Sequence, residues 1–217
     1  MKKYFVSILM LAFSIALTAS AAMAQAGSGM GNGAGIGTGM GGGEGSGAGL
    51  AIGATMGDFK LSDVSGKERT LASVRGAKGT VFVFVSVQCP VSNGYNERYE
   101  KLAQDYKAQG VNVVAVYSNV TESNDDVKNH VAEHKFTFTI LRDKDNRLAD
   151  MLGAEHTPEA YFLDAGNKLV YRGRIDNSRD ASSVNSNDLR EAIDATLAGK
   201  PVTKNYVRAF GCSIKRA

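Results

Sequence analysis

The sequence predicts an α/β fold in which helices flank a central mixed sheet. Two runs of β-branched and aromatic residues, 80–87 and 111–118, have the nearly continuous apolar character of strands that are covered on both faces. Apolar residues at helical spacing lie between these runs, and two later runs, 159–164 and 168–175, flank a short turn. A parallel strand–helix–strand unit and an antiparallel hairpin together predict a mixed sheet.

The first central run is followed by a predicted helix within residues 96–110. Its apolar positions include Tyr99, Leu102 and Tyr106, and Gly110 supplies a natural C-terminal stop. Because this helix joins two apolar runs, the simplest arrangement is a right-handed parallel crossover. Both runs are therefore expected to lie at the centre of the sheet.

The remaining elements follow in order along the chain. A polar segment with helical spacing, a short apolar run and a second short helix come before the hairpin, and a longer helix comes after it. These predicted elements are a helix at 123–135, a strand at 138–141, a helix at 146–153, the hairpin strands 159–164 and 168–175, and a helix at 187–199.

Residues 1–24 have the pattern of a secretory signal peptide. Lys2 and Lys3 precede a short apolar run that closes on small residues, which predicts cleavage after Ala24. A retained signal anchor is the alternative, but the apolar run is shorter than the roughly 20 residues that a membrane-spanning helix needs. The mature protein is expected to be periplasmic or secreted, without a membrane anchor, in a compartment where disulfides persist.

The next segment, residues 25–55, is predicted to be a flexible leader. Residues 27–53 contain fourteen glycines and almost no charge, so they bury too little apolar surface to offset their backbone entropy. Residues 56–217 are sufficient for a single domain. The formal charge of +3 falls to about +1 without the two lysines of the signal peptide, which does not favour nucleic-acid binding.

Cys89 is the leading candidate for a catalytic residue. It comes just after a central strand and before Pro90, which suits the first position of a helix because its missing N–H costs nothing there. Helix-terminal N–H groups lower the pKa of a thiol by about one unit. A buried structural cysteine is the alternative, but the polar residues 92–98 favour an accessible thiol.

Three motifs resemble those of the thioredoxin-like redoxins, in their peroxiredoxin-like or thiol-disulfide oxidoreductase branch. The motifs are FVSVQCPVSNGY at 84–95, HTPEAYFLD at 156–164 and YRGRID at 171–176, and the resemblance spans residues 56–212. It implies a thioredoxin-like fold, no cofactor, and a cysteine nucleophile at the start of a helix.

The resemblance also implies which residues contact a partner. Thr157 and Pro158 correspond to a loop whose cis proline faces the thiol and holds a partner chain in extended form. Pro90, Ser92 and Asn93, in the first turn after the candidate nucleophile, are further expected to contact substrate. A turn or capping role is the alternative for Asn93.

The sequence departs from the C-x-x-C pattern of the family, because Ser92 stands in the place of the second cysteine. A mixed disulfide or sulfenic acid on Cys89 then needs another thiol to resolve it. Cys212, the only other cysteine, is the candidate resolving residue. Structural packing of Cys212 and pairing between molecules are alternatives that spacing leaves open.

The predicted function is thiol–disulfide exchange with protein or small-molecule thiols and disulfides, carried out by a monomer. Peroxide reduction by the same cysteine is one alternative, although Ser86, three residues before Cys89, lacks the upstream proline of peroxiredoxins. A non-catalytic binding module is another alternative.

The H-x-x-E-H pattern at 130–134 resembles that of inverted zinc peptidases. Zinc catalysis needs a third protein ligand, and without one the pattern predicts a solvated helix face and no metal.

Overall fold

A computed structural model describes residues 49–216, so the predicted signal peptide and most of the predicted leader lie outside the described residues. The strands are β1 Lys60–Asp63, β2 Glu68–Thr70, β3 Gly79–Phe84, β4 Val111–Tyr117, β5 Thr139–Arg142, β6 His156–Thr157, β7 Glu159–Asp164, β8 Leu169–Gly173, β9 Tyr206–Val207 and β10 Cys212–Ser213. The helices are α1 Leu71–Val74, α2 Pro90–Asn93, α3 Asn96–Lys107, α4 Asn124–Glu133, α5 Arg147–Leu152 and α6 Asp188–Leu197, with a 3-10 turn at Ala181–Ser183.

Within residues 49–216, eight strands form one sheet in the order β2-β1-β5-β4-β3-β7-β8-β9, and β10 pairs separately with β6. Strands β3, β4 and β5 are parallel, with Val81 opposite Val113 and Val114 opposite Thr139. Strand β7 is antiparallel to β3, and β7 and β8 form the predicted hairpin. The prediction of an α/β fold with a central mixed sheet is confirmed, with β3 and β4 at the centre.

The nearly continuous apolar character of β3 arises because apolar layers cover both faces of the sheet. Successive residues of a strand point to opposite faces, and all six residues of β3 are buried. Val81 joins the cluster that includes Leu102 of α3 and Ile193 of α6, whereas Phe82 joins the cluster that includes Leu152 of α5. Helices on both faces therefore hold the strand that leads to Cys89.

The β1–β2 hairpin is missing from the sequence prediction because its strands are short and polar. The strands read Lys-Leu-Ser-Asp and Glu-Arg-Thr, and most of their side chains are exposed or half-buried. Strand β1 pairs antiparallel with β5, with Ser62 opposite Arg142. The sheet consequently has antiparallel pairings on both sides of its parallel centre instead of on one side only.

Two residues near the end of the predicted leader, Leu50 and Gly53, hydrogen-bond to the domain that follows it. The Leu50 N–H donates to the Met151 carbonyl at 3.0 Å, and the Gly53 N–H donates to the Leu169 carbonyl at 2.7 Å. The amino-acid composition does not reveal these contacts, because they join residues of a glycine-rich segment to partners more than a hundred positions away in the sequence.

Candidate active site

Cys89 lies at the end of the loop that joins β3 to α2, immediately before the first residue of α2. Its backbone is extended, with φ −92° and ψ 112°, and the exposed Pro90 occupies the first position of the helix. The Cys89 sulfur accepts a hydrogen bond from the backbone N–H of Ser92 at 3.4 Å, and its thiol donates to the carbonyl oxygen of Thr157 at 3.2 Å. The sulfur is thus held between one amide donor and one carbonyl acceptor.

The Thr157 carbonyl belongs to a loop that contains a cis peptide bond between Thr157 and Pro158. Strand β6 ends at Thr157, and β7 begins at the residue after the proline. The loop therefore places the short strand β6 directly beside the Cys89 sulfur.

The C-terminal segment crosses this loop. Strand β10 pairs antiparallel with β6, so that Cys212 lies opposite Thr157. Further along the segment, the Lys215 N–H donates to Oδ1 of Asn119 at 2.7 Å, and the Lys215 carbonyl accepts the Val120 N–H at 3.0 Å. The segment is therefore held on one side by β6 and on the other by the loop after β4.

Cys89 is buried, with 2% of its surface exposed, whereas the sequence favours an accessible thiol. The polar residues after Pro90 do belong to the active-site loop, but the C-terminal segment packs across that loop, and its position cannot be read from the local sequence. Cys212 is half-buried, and both cysteines are free thiols. A segment that is distant in the sequence therefore lies beside the loop that contacts Cys89.

The two thiols have opposite pKa shifts. Burial by itself raises the pKa of Cys89, but hydrogen bonds to its sulfur from the Cys212 side chain and the Ser92 N–H outweigh burial, so this pKa lies below its ordinary value. The hydrogen bond with Cys89, and then burial, raise the pKa of Cys212. Of the two thiols, Cys89 therefore ionises at the lower pH.

A buried hydrogen-bond network fixes the loop before Cys89. The Ser86 hydroxyl donates to Oε1 of Glu122 at 2.6 Å and accepts the backbone N–H of Cys89 at 3.0 Å. The same Glu122 oxygen accepts from Nδ2 of Asn119 at 2.9 Å and from the Gln88 N–H at 3.2 Å. Glu122 is 2% exposed, and among the described residues its Oε2 has no hydrogen-bond partner. Glu122 is not among the predicted site residues, because its only signal in the sequence is an acidic residue in the loop after a central strand.

Ser92 and Asn93 hold α2 to the interior of the domain. The Ser92 hydroxyl accepts the Ser86 N–H at 3.1 Å and shares a hydrogen bond with the Tyr99 hydroxyl at 3.1 Å. Nδ2 of Asn93 donates to the Val87 carbonyl at 2.8 Å. These side chains stabilise the loop around the candidate nucleophile, and substrate contact through them stays a prediction.

His130 also supports α2. The prediction that residues 130–134 form a solvated helix face is wrong for this residue, because its side chain is buried. Nε2 of its buried ring shares a hydrogen bond with Oδ1 of Asn93 at 2.9 Å, and Nδ1 shares one with the Tyr117 hydroxyl at 2.8 Å. Burial, with a smaller contribution from the neighbouring His134, lowers the pKa of His130 to about 4. Because both ring nitrogens have hydrogen-bond partners, neither is available to a metal ion in this arrangement.

Sequence relatives of the chain include thiol-disulfide oxidoreductases. A sequence profile described as the AhpC/TSA family matches residues 52–172, a range that contains Cys89 and Pro158 but ends before Cys212. The thiol-disulfide oxidoreductase ResA of Geobacillus thermodenitrificans is 30% identical over 120 residues, which is 55% of this chain and 67% of that protein. ResA of Geobacillus kaustophilus is 28% identical over the same shares.

Similar folds occur among solved structures. A hypothetical protein of Sinorhizobium meliloti is 34% identical, with a TM-score of 0.71, over 77% of this chain and 96% of that one. An uncharacterized conserved protein of Geobacillus kaustophilus is 31% identical, with a TM-score of 0.72, over 77% and 93%. A proposed thiol:disulfide interchange protein DsbE of Chlorobium tepidum shares the fold at 21% identity and a TM-score of 0.58, over 68% and 99%. The thioredoxin-like fold is confirmed.

Proposed function

The chain belongs to the AhpC/TSA family, and on this premise we propose that it exchanges thiols and disulfides through Cys89, with Cys212 as the resolving thiol. It is a thioredoxin-like redoxin whose homologues include thiol-disulfide oxidoreductases. The observation that carries the proposal is that Cys212 lies opposite Thr157 in the β6–β10 pairing, and the Thr157 carbonyl contacts the Cys89 sulfur at 3.2 Å. The second thiol then comes from the C-terminal strand instead of the first turn of α2, where Ser92 stands.

The direction of the two pKa shifts supports this division of roles. A thiolate, not a thiol, is the nucleophile in disulfide exchange. The lowered pKa of Cys89 increases its thiolate fraction at neutral pH, while the raised pKa of Cys212 keeps that residue protonated until Cys89 has reacted. Cys89 therefore attacks first, and Cys212 acts second.

The proposed reaction consists of two exchange steps. The Cys89 thiolate attacks one sulfur of a partner disulfide, so that a Cys89–partner bond forms, the partner's S–S bond breaks and one partner thiolate leaves. Cys212 then gives its proton to solvent and attacks the Cys89 sulfur, which forms a Cys89–Cys212 disulfide and releases the second partner thiolate. The partner disulfide is reduced and the two cysteines are oxidised, and an external dithiol reductant restores them.

Export of the protein to the periplasm or the cell exterior is part of the proposal. The signal-peptide pattern at residues 1–24 supports it. In the portion of the chain covered by residues 49–216, no helix is long and apolar enough to cross a membrane. Mass spectrometry of protein from fractionated cells is expected to find Gln25 as the N-terminus outside the cytoplasm. An uncleaved chain retained in the membrane fraction would contradict export.

The exchange chemistry is tested with 5,5′-dithiobis(2-nitrobenzoic acid), a disulfide whose reduction releases coloured thionitrobenzoate. We expect the reduced full-length protein to release two equivalents and to retain no adduct, because Cys212 displaces the adduct from Cys89. The Cys212→Ser variant should release one equivalent and keep the adduct on Cys89. The Cys89→Ser variant should react slowly.

Other outcomes distinguish the alternatives. If the wild-type protein retains two adducts, Cys212 does not resolve Cys89. If the Cys89→Ser variant reacts like wild type, the chain is a binding module without an activated thiol. A stoichiometric burst with hydrogen peroxide that is faster than the reaction with disulfide would instead favour peroxide reduction.

A further inference from the structure

The C-terminal strand β10 pairs with β6, the short strand that contacts the Cys89 sulfur. Cys89 lies in a loop, yet its surface is almost completely covered. Strand β10 pairs with β6 so that Cys212 lies opposite Thr157, whose carbonyl oxygen is 3.2 Å from the Cys89 sulfur. An extended partner chain that pairs with β6 beside this sulfur must therefore take the place of β10. This inference rests on the exchange function proposed above.

Backbone hydrogen bonds hold residues 211–215 in this position. In addition to the β10–β6 pairing, the Ile214 N–H donates to the Glu155 carbonyl at 2.9 Å, and both backbone groups of Lys215 bond to the loop after β4. Such bonds do not depend on side-chain identity, so any extended polypeptide can form them. Addition of a strand to an available strand edge is a common mode of peptide binding.

Two positions in the segment do depend on the side chain. A Cβ atom on Gly211 would lie 2.0 Å from the carbonyl oxygen of Thr157, so a side chain at this position displaces the strand. Ile214 is 6% exposed and packs in the apolar cluster that also contains Leu152 and Tyr161. A polypeptide that replaces the segment is therefore expected to need glycine immediately before its cysteine and an apolar residue two positions after it.

We propose that the partner is an extended polypeptide with the pattern Gly-Cys-x-apolar, and that it binds by replacing residues 211–215 on β6. The partner's disulfide-bonded cysteine takes the place of Cys212, and its sulfur receives the attack of Cys89. When the segment returns, Cys212 reaches the Cys89 sulfur and the partner leaves as a thiolate. The partner cysteine and Cys212 thus occupy the same position one after the other. Cys212 therefore cannot attack the Cys89 sulfur while the partner is still paired with β6.

The test uses the full-length Cys212→Ser variant and synthetic peptides with the sequence of residues 209–216, AFGCSIKR, whose cysteine carries thionitrobenzoate. Attack by Cys89 on the peptide sulfur releases this group and gives the rate. Replacing isoleucine by serine in the peptide, at the position of Ile214, should slow the reaction by about tenfold, because burial of the apolar side chain is lost. Replacing the glycine by valine should slow it by a similar factor.

Free 5,5′-dithiobis(2-nitrobenzoic acid) separates failure of this inference from failure of the proposed function. If Cys89 reacts with the free reagent but the three peptides react at rates within about twofold of one another, the partner pattern is wrong and the exchange function stands. If Cys89 reacts with neither, the exchange function itself is wrong.

A second measurement follows the segment in the full-length chain. The Ile214→Ser variant should expose Cys89 and increase its alkylation rate with iodoacetamide severalfold. Lys215→Ala is the matched control, because the Lys215 side chain is exposed and its contacts with the loop after β4 are made by the backbone. Thermal unfolding shows whether each variant is folded at the assay temperature. Equal alkylation rates in folded variants would show that the segment does not limit access to Cys89.

Discussion

The sulfur of Cys89 lies 3.2 Å from the carbonyl oxygen of Thr157, the residue immediately before the cis proline. Thr157 also lies opposite Cys212 in the pairing of β6 with β10. One short strand therefore contacts both cysteines of the chain, although they are far apart in the sequence. The pKa values, access and redox coupling of the two thiols are expected to depend on this strand.

The Cys212→Ala variant should raise the midpoint of the pH dependence of Cys89 alkylation. The variant removes the side-chain hydrogen bond that is the largest influence lowering the pKa of Cys89. The midpoint is obtained from iodoacetamide rates against pH, with the modified peptide identified by mass spectrometry, and it does not depend on steric access. Ser213→Ala is the control and should leave the midpoint unchanged, because the Ser213 side chain is exposed. An unchanged midpoint in Cys212→Ala would refute the proposed coupling.

The Ser92→Cys variant should redirect the disulfide of the oxidised protein. The Ser92 N–H already reaches the Cys89 sulfur at 3.4 Å, so a thiol on this residue lies one helical turn from the nucleophile. Peptide mapping is expected to find a link between Cys89 and the introduced thiol, with Cys212 left free for alkylation. Ser213→Cys, next to Cys212 but on the exposed side of β10, should not form such a link.

The Ser92→Cys variant should also lose about 1 kcal/mol of unfolding free energy, because the hydroxyl that accepts the Ser86 N–H is removed. If oxidation still links only Cys89 and Cys212, the first turn of α2 does not have the geometry of the family's C-x-x-C turn.

The Glu122→Gln variant should lower the free energy of unfolding by about 1–3 kcal/mol, the usual cost of leaving a buried polar group without a partner. One oxygen of Glu122 accepts three hydrogen bonds, and the other has no partner among the described residues, so the amide nitrogen of glutamine would have no acceptor. Urea unfolding gives the value, and Glu133→Gln on the exposed face of α4 is the control. Equal stability of the two variants would show that the network does not require the carboxylate.

Stability should decrease in mildly acidic solution because of His130. Burial, followed by the influence of His134, lowers its folded-state pKa from 6.5 to about 4, so the unfolded chain binds this proton at higher pH than the folded chain does. The stabilisation is complete above about pH 6.5 and is lost as the pH falls towards 4. Urea midpoints measured across this range test the prediction. His130→Gln should remove this part of the pH dependence, and His156→Gln should retain it; the same dependence in both variants would contradict the assignment.

The central elements of the fold could be predicted from the sequence because they depend on local patterns. Buried parallel strands give continuous apolar runs, and α3 has apolar residues at helical spacing and is followed by Gly110 in the turn before β4. The strands β6 and β10 have two residues each, which is too short for any periodicity. Their pairing depends on tertiary contacts between residues 156–157 and 212–213, so the covered state of Cys89 could not be predicted.

The supporting residues of the site were missed for a related reason. Glu122 and His130 occur in polar segments that resemble ordinary surface loops and helices, and the sequence does not show that each side chain is buried. Ser92 and Asn93 were predicted to contact substrate because they follow Cys89, but their side chains bond to the interior of the domain. Proximity in sequence indicated the correct loop and not the direction of each side chain.

The coupling of Cys89 and Cys212 is tested most directly by peptide mapping of the full-length protein after equilibration in buffers of graded dithiothreitol redox ratio. We expect a single two-electron transition in which both cysteines disappear together from the alkylated fraction and one Cys89–Cys212 cross-linked peptide appears in monomeric protein. Independent oxidation of the two cysteines, or their appearance in separate adducts or intermolecular dimers, would contradict the account.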